Sequence, residues 1–284
     1  MTNDVRTIQL GAAVVTVISV AYAKDEPEEL AKLLGVPNHE RLSRYATFFS
    51  QPYISPVASV YVTLPEIAVL VDACAIDITP ESPIAPPDYQ PPPGLLMRLA
   101  EIAVRPEELG HVVITHAHAD HFNALTTERH GTYEPSFPNA HHYFGRADWD
   151  DANFQQALHD PDSAESHTFG VLHRDGLLEL VDGNRDLGGG VEIIAAPGET
   201  PGHQIVRVHS EGQTLYCLGD LYHVPIEFEQ PTWMAPWKQV ESTLASRQAL
   251  IAAALSEDAI LVSAHIPGIG RLQRTESGVT FVGM

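Results

Sequence analysis

THAHADH, residues 115–121, places three histidines and one aspartate within six consecutive positions, directly after the apolar run Val112-Val113-Ile114. A shuffled chain of this composition would contain the order H-x-H-x-D-H in roughly 0.2% of cases. Imidazoles and carboxylates are common ligands of zinc and related transition metals. The heptapeptide therefore predicts a metal site at the end of a strand.

The four polar side chains of this heptapeptide divide between two directions. His116 and His118 lie two positions apart, past a strand that should end near Thr115. Residues i and i+2 of an extended chain point to the same side, so both imidazoles can face one ion. Asp120 and His121 begin a helical segment, where the turn of the chain directs them to a neighbouring point. One short loop can thus serve two metal ions.

Further metal ligands are expected from loops that follow strands elsewhere, because a divalent ion needs more donors than this loop supplies. The segment PGETPGH, residues 197–203, forms a tight turn that exposes His203. Asp220 and His265 likewise come directly after predicted strands. Each candidate ligand therefore lies at the end of a strand.

The acidic charge of the chain restricts its partners. Lys and Arg number 16 against 37 acidic residues, which gives a formal charge of −21. Such a chain repels polyanions, so we expect no nucleic-acid partner and no anionic membrane surface. A small uncharged substrate fits this charge better.

Cysteine use and the N-terminal residues indicate the compartment. Cys74 and Cys217 lie in apolar, strand-like contexts, which predicts buried free thiols and a reducing cytoplasm.

Residues 10–20 are apolar and Ala21-Tyr22-Ala23 mimics a signal-peptidase site. The preceding residues carry no net positive leader and the apolar residues alternate, so we predict a strand, no cleaved signal and a cytoplasmic location.

Hydrophobic patterns indicate a mixed α/β class, folded as a single domain over residues 1–284. Short segments rich in Val, Ile and Tyr predict strands at 12–20, 57–63, 67–72, 111–115, 140–144, 191–196, 204–209, 214–218 and 259–264. Three-to-four spacing of apolar residues predicts helices at 94–104, 121–129 and 237–256.

Three segments depart from this framework. Residues 24–56 are polar and then aromatic, and we interpret them as an N-terminal excursion. Residues 79–93 hold seven prolines, which predicts a stiff surface loop, with a lid or a dimer contact as the alternative. Gly188-Gly189-Gly190 precedes a strand and predicts a hairpin turn, not a phosphate loop.

The five ligand-bearing segments, in order across residues 111–268, resemble the metallo-β-lactamase-fold hydrolases. The resemblance implies a four-layer αββα sandwich with a binuclear centre at one edge. His116, His118 and His203 would hold one metal ion. Asp120, His121 and His265 would hold the other, and Asp220 would bridge the two. Two divalent ions are implied, zinc by default, with manganese, iron and cobalt also compatible with these ligands.

The implied chemistry is hydrolysis by a metal-bridging hydroxide. A bound metal lowers the pKa of its water from near 15.7 to about 7, so no serine or cysteine nucleophile is required. Asp120 is a candidate for receiving or passing on the nucleophile's proton. His223 is a candidate proton donor or oxyanion partner, and Tyr222 is a further candidate catalytic residue.

The sequence around Asp220 narrows the branch of the family that the chain resembles. True β-lactamases usually carry cysteine or serine in place of this aspartate. GDLYHV, residues 219–224, looks most like quorum-quenching lactonases and methyl-parathion-type hydrolases. Those lactonases commonly carry a tyrosine where this chain has His223, so the pattern lies closer to the parathion hydrolases. Glu199 replaces a family histidine that is not a ligand. An uncharged ester, lactone or phosphotriester is the expected substrate.

Other functions on the same fold remain as alternatives. A mononuclear-iron sulfur dioxygenase keeps similar ligands, and a glyoxalase II-like thioesterase would need basic residues for its anionic thiol conjugate, whereas this chain shows no basic cluster near its C-terminus. A non-catalytic metal-binding scaffold is a third alternative. A homodimer through the N-terminal excursion is a further expectation.

Overall fold

A computed structural model describes residues 4–276 and 278–284 of the chain. The strands are β1 Val5–Leu10, β2 Ala13–Asp25, β3 Tyr53–Thr63, β4 Ala68–Val71, β5 His111–Val113, β6 Thr126–Arg129, β7 Thr132–Pro135, β8 His141–Gly145, β9 Leu178–Val181, β10 Arg185–Gly188, β11 Val191–Ala195, β12 Gln204–Ser210, β13 Gln213–Cys217, β14 Ile260–Val262, β15 Gly270–Thr275 and β16 Gly278–Gly283. The α-helices are α1 Pro27–Leu33, α2 Asn38–Arg41, α3 Leu95–Glu101, α4 Ala119–Phe122, α5 Arg146–Trp149, α6 Ala152–Leu158, α7 Val171–Arg174, α8 Ile226–Glu229 and α9 Val240–Ser256.

Two seven-stranded sheets form the centre of the molecule. The first has the order β1-β2-β3-β4-β5-β8-β9 and the second the order β10 to β16, while β6 and β7 form a separate hairpin. Strands β4, β5, β8 and β9 are parallel neighbours, as are β13 and β14. Parallel neighbours end at the same edge, so the loops that follow them gather there.

The alternation of side chains explains the layering. In β13, Leu215 and Cys217 join the core between the two sheets, whereas Tyr216 faces a second cluster with Leu250 of α9. The outer face of the first sheet packs in the same way on Leu99 and other helical side chains. Successive strand residues point to opposite faces, so each sheet buries both faces. The expected αββα sandwich and mixed α/β class are confirmed.

Of the twelve elements predicted from sequence patterns, nine strands and two helices match the structure and one helix was misassigned. Each of the nine predicted strands overlaps a strand of the structure. The helix predicted at 121–129 is wrong: α4 ends at Phe122, and 126–129 is strand β6. Thr126 and Thr127 are β-branched, and the positive φ angles of His130 and Gly131 fit a tight hairpin turn.

The three segments outside the regular framework have defined places. Strand β2 continues to Asp25 and β3 starts at Tyr53, so the chain leaves the sheet only over 26–52. The proline-rich loop packs along β2, where Lys24 N donates to Ile84 O at 2.6 Å. Gly188 to Gly190 all have positive φ and connect β10 to β11, which confirms the hairpin turn.

Both cysteines are buried free thiols, as expected. Burial raises the pKa of each thiol well above its ordinary value, so neither is a reactive thiolate at neutral pH. In the part of the chain that the structure describes, no helix has the length and apolar character needed to cross a bilayer.

Candidate metal centre

The THAHADH loop is fixed by Asp72, which follows β4. One Asp72 carboxylate oxygen accepts from Thr115 N at 2.7 Å, and the other lies 2.9 Å from both Thr115 Oγ1 and His121 Nδ1. A carboxylate on Nδ1 holds that proton and leaves Nε2 free to bind a metal. The buried His121 ring is thus oriented with its free nitrogen toward Asp220, 3.2 Å from Oδ1.

His116 and His118 meet at one point, as the two-residue spacing predicts. His116 is fully buried, and its Nε2 lies 2.9 Å from Nδ1 of His118. Its other nitrogen lies 3.0 Å from Thr115 Oγ1. Two ring nitrogens of adjacent histidines therefore converge where one cation would lie.

His203 has the ligand tautomer, held by the backbone. Its Nδ1 donates to Ala196 O at 3.0 Å, and its Nε2 accepts from the backbone N–H of Asp220 at 3.2 Å. Gly219 makes this approach possible: it has a φ of +49°, and a Cβ there would lie 2.9 Å from His203 Nε2. Glycine at 219 is thus required on both steric and backbone grounds.

His265 and Asp120 complete the opposite side of the cluster. His265 Nδ1 donates to Pro56 O at 2.9 Å, which directs Nε2 inward. That nitrogen lies 3.4 Å from Asp120 Oδ2 and 3.2 Å from Asp220 Oδ2. His121 joins the same group, because the donor atoms of Asp120, His121 and His265 all lie within 4.8 Å of one another.

Asp220 connects the two groups. Besides His121 and His265, its Oδ2 lies 3.7 Å from His116 Nε2 and 3.1 Å from His223 Nε2. His121 Nε2 and Asp220 Oδ1 are buried, and neither makes a hydrogen bond within the described residues. Buried polar atoms without hydrogen bonds are costly unless a cation satisfies them. This donor set therefore fits a pair of divalent ions.

The electrostatics of the cluster also favour cations. Burial lowers the pKa of His203 to about 4 and that of His116 well below its usual value. Burial likewise acts on His265, but the Asp220 and Asp120 carboxylates outweigh it and raise its pKa to about 10. For Asp120, burial is outweighed by His121 and His265, and its pKa falls to about 2. The ionised carboxylates among the histidines supply anionic donors that can bind metal ions.

The structure separates the two candidate catalytic residues that follow Asp220. His223 faces the cluster, with Nε2 near Asp220 and its ring stacked on His265 at 5.6 Å between centroids. Tyr222 points the other way: it is fully buried and stacks on Phe228 at 3.8 Å. Adjacent residues of this turn face opposite sides, which adjacency in the sequence does not reveal.

Glu199 is part of the site, although sequence reasoning treated it as a neutral replacement. Its Oε1 lies 3.4 Å from His118 Nδ1 and accepts from Trp237 Nε1 at 2.6 Å. Its Oε2 lies 2.6 Å from Nζ of Lys238, and both side chains are completely buried. The sequence did contain an indication of this role, because Glu199 places a carboxylate in the middle of the ligand-bearing turn PGETPGH.

Two cavities open on either side of the metal centre. One of about 180 Å³ borders Asp120 and His265 and is walled by Leu30, Leu33, Leu34 and Ile76. The other, about 460 Å³, borders His118 and contains four carboxylates: Asp148, Asp151, Glu165 and Glu199. Trp237 lines both. The side of the centre under the N-terminal excursion is thus apolar and the other side acidic.

Comparison with known proteins gives one family and a set of similar folds. The family model described as the metallo-beta-lactamase superfamily matches residues 55–265. An uncharacterized protein of Caenorhabditis elegans, C03F11.2, is 29% identical over 131 residues, which are 45% of this chain. The matched stretch is only 28% of that relative's own length.

Solved structures match almost the whole chain at low identity. AidC, a dizinc quorum-quenching lactonase in complex with a product, has a TM-score of 0.77 at 19% identity, covering 99% of this chain and 97% of AidC. The hydrolase AbOPH, of the beta lactamase superfamily, has a TM-score of 0.79 at 15% identity, covering 100% and 98%. An N-acyl homoserine lactone lactonase has a TM-score of 0.62 at 18% identity, covering 92% and 94%.

Proposed function

We propose that this chain, which belongs to the metallo-beta-lactamase superfamily, is a binuclear metal-dependent hydrolase that cleaves uncharged esters or lactones. The observation that carries the proposal is the position of Asp220. Its two carboxylate oxygens lie 3.2 to 3.7 Å from nitrogens of His121, His265 and His116, which come from both ligand groups. One carboxylate between two groups is the arrangement expected of a bridging ligand.

The side chains have separate roles in this proposal. Two divalent ions held here would lower the pKa of a shared water to about 7 and polarise the substrate carbonyl. His223 Nε2 stands beside Asp220, where it can hold a proton for the leaving group. The low pKa of Asp120 suits a metal ligand better than a base. Tyr222, with its hydroxyl buried away from the ligands, has no part in the proposed mechanism.

The cavities support an uncharged substrate with an apolar group. Leu30, Leu33 and Leu34 of the N-terminal excursion wall the cavity beside Asp120 and His265. An alkyl or aryl group bound there would have its ester carbonyl next to the metal centre. The carboxylates of the other cavity would repel anionic substrates, which disfavours a glyoxalase II-like thioesterase acting on an anionic conjugate. Phosphotriesters remain within the proposed class because they are also uncharged.

The test of the function combines metal analysis with a small substrate panel. We expect purified protein to contain two zinc or manganese ions per chain by mass spectrometry, and to hydrolyse p-nitrophenyl acetate, a γ-lactone or paraoxon. Chelation should abolish the activity, and re-addition of metal should restore it. One iron per chain without hydrolysis would instead indicate the sulfur dioxygenase. Bound metal without turnover of any of these substrates would indicate a scaffold.

Acyl-chain length tests the role of the apolar cavity. From p-nitrophenyl acetate to butyrate and hexanoate, we expect kcat/KM to rise by up to about fourfold per added methylene, because each buried methylene contributes about 0.8 kcal/mol. Leu33→Glu puts a charge at the cavity and should flatten this dependence, while turnover of the acetate persists. Equal kcat/KM values across the wild-type series would exclude this cavity as the acyl site.

A further inference from the structure

We propose that Glu199 is an additional metal ligand, binding the ion held by His116 and His118. The inference rests on the proposed metal centre. Donor atoms of His116, His118, Glu199 and Asp220 all lie within 4.8 Å of one another. His203, the ligand that the family resemblance implies for this ion, is not in that group. Glu199 thus lies among the donors of this ion, whereas the sequence analysis did not count it as a ligand.

The separation of the donors matches a coordination sphere. Bonds of zinc to nitrogen and oxygen measure about 2.0–2.2 Å, so two ligands of a tetrahedral ion lie about 3.4 Å apart. Glu199 Oε1 is 3.4 Å from His118 Nδ1. His116 Nε2 is 3.7 Å from Asp220 Oδ2. These distances leave room for one cation between the four side chains without a rearrangement of the turn.

The surroundings of Glu199 hold its carboxylate in place as an anion. Lys238 Nζ lies 2.6 Å from Oε2 and also donates to Asp220 O at 2.5 Å. Trp237 Nε1 donates to Oε1, the oxygen that faces His118. Burial acts to raise the pKa of Glu199, but His223 and then Lys238 outweigh it and lower that pKa. Lys238 thus connects the carboxylate to the backbone of the bridging Asp220.

Ligation by Glu199 would change the metal preference of the ion held by His116 and His118. With the imidazoles of His116, His118 and His203, and with Asp220 and Glu199, two of the five donors of that ion would be carboxylate oxygens. Oxygen donors favour manganese and other harder ions relative to an all-imidazole set. We therefore expect the two sites to differ in metal preference, with the His116 site accepting manganese more readily than a site of three imidazoles would.

Metal titration of Glu199→Gln tests this ligand without recourse to turnover. Glutamine keeps the size and an acceptor for Trp237 but removes the anionic donor. Apoprotein is titrated with Co²⁺ against a competing chelator, and the ligand-field absorption is recorded. We expect one of the two sites to lose affinity by tenfold or more, with a changed spectrum for that site, while the other site is unaffected.

Two further variants separate ligation from simple charge pairing. Glu199→Gln alone leaves the ammonium of Lys238 buried without a carboxylate partner. The double variant Glu199→Gln with Lys238→Met removes that unpaired charge as well. If Glu199 binds the metal, affinity remains reduced in the double variant. If affinity returns to the wild-type value, Glu199 only neutralises Lys238 and the proposal is wrong. Glu165→Gln removes a carboxylate from the same cavity away from the ligands and should bind two ions normally.

The outcomes also distinguish this proposal from the proposed function. Circular dichroism and thermal unfolding of each apoprotein confirm that the variants fold. Wild-type protein that binds fewer than two ions would contradict the binuclear centre itself. Wild-type protein that binds two ions, with Glu199→Gln within tenfold of it at both sites, would overturn only the role of Glu199.

Discussion

Replacing Asp220 by asparagine is expected to lower the rate of ester hydrolysis by at least about 1,000-fold. The carboxylate lies within 3.7 Å of nitrogens from both ligand groups, so in the proposed binuclear centre it is the side chain placed to contact both ions. Asparagine keeps the size but removes the charge that draws two cations together. A metal centre contributes several kcal/mol of transition-state stabilisation, and its partial loss gives this magnitude.

Metal content and rate should be measured on the same preparations. We expect Asp220→Asn to retain at most one ion per chain. The matched control is Asp175→Asn, since Asp175 is exposed and pairs only with its neighbour Arg174 through side-chain contacts of 2.8 and 3.2 Å. That variant should keep two ions and full activity. An Asp220→Asn protein with two ions and a rate within tenfold of wild type would refute the bridging role.

Arg247→Met is expected to destabilise the fold by about 3–5 kcal/mol. Arg247 is fully buried in α9, and its guanidinium donates to Leu221 O, Pro231 O and Trp233 O as well as to Glu227. Loss of the arginine leaves the Glu227 carboxylate buried and unpaired. For a chain of this length the loss should lower Tm by roughly 5 to 10 °C.

A partly exposed ion pair is the appropriate control for this effect. Arg207 pairs with Glu257 at 2.8 Å, but both side chains are about a quarter exposed, at 24% and 30%. Arg207→Met should therefore cost no more than about 1 kcal/mol. Denaturant unfolding of both variants measures the difference. If both variants lose the same free energy of unfolding, burial of the Arg247–Glu227 pair does not make it more important for stability than the Arg207–Glu257 pair.

The Arg247 network also explains how the site loop is held. Glu227 Oε2 accepts from the backbone nitrogens of His223 and Val224, so helix α9 fixes the turn that carries Asp220. Apolar periodicity placed α9 closely, yet the apolar Val240 at its start is 58% exposed while Arg247 is buried. From sequence alone, an arginine in a helix is expected to face solvent. The partners that bury Arg247 lie 14 to 26 positions away, so they cannot be recognised from the helix itself.

Strand positions were predicted well in the core and poorly at the edges. Strands such as β14, with the sequence ILV, are continuous apolar runs because both faces of their sheet are covered. Edge strands such as β10, with the sequence RDLG, expose most of their side chains and lack that pattern. The same limit explains the error at 126–129, where a polar hairpin follows a short helix.

The sequence by itself determined which side chains can bind metal and where they lie along the chain. The seven predicted ligands were named from the heptapeptide and from three strand ends, the mixed α/β class followed from hydrophobic periodicity, and the αββα sandwich was implied by the family resemblance. These features are local: each depends on the order of residues within a loop or a strand.

Only the tertiary structure decided which side chains face the metal centre. It turned Tyr222 into the core, brought His223 to Asp220, and placed Glu199 between His118 and Lys238. The physical reason is that these contacts join loops far apart in the sequence. Their geometry depends on how two sheets and α9 pack, and composition or periodicity within one segment carries no information about that packing.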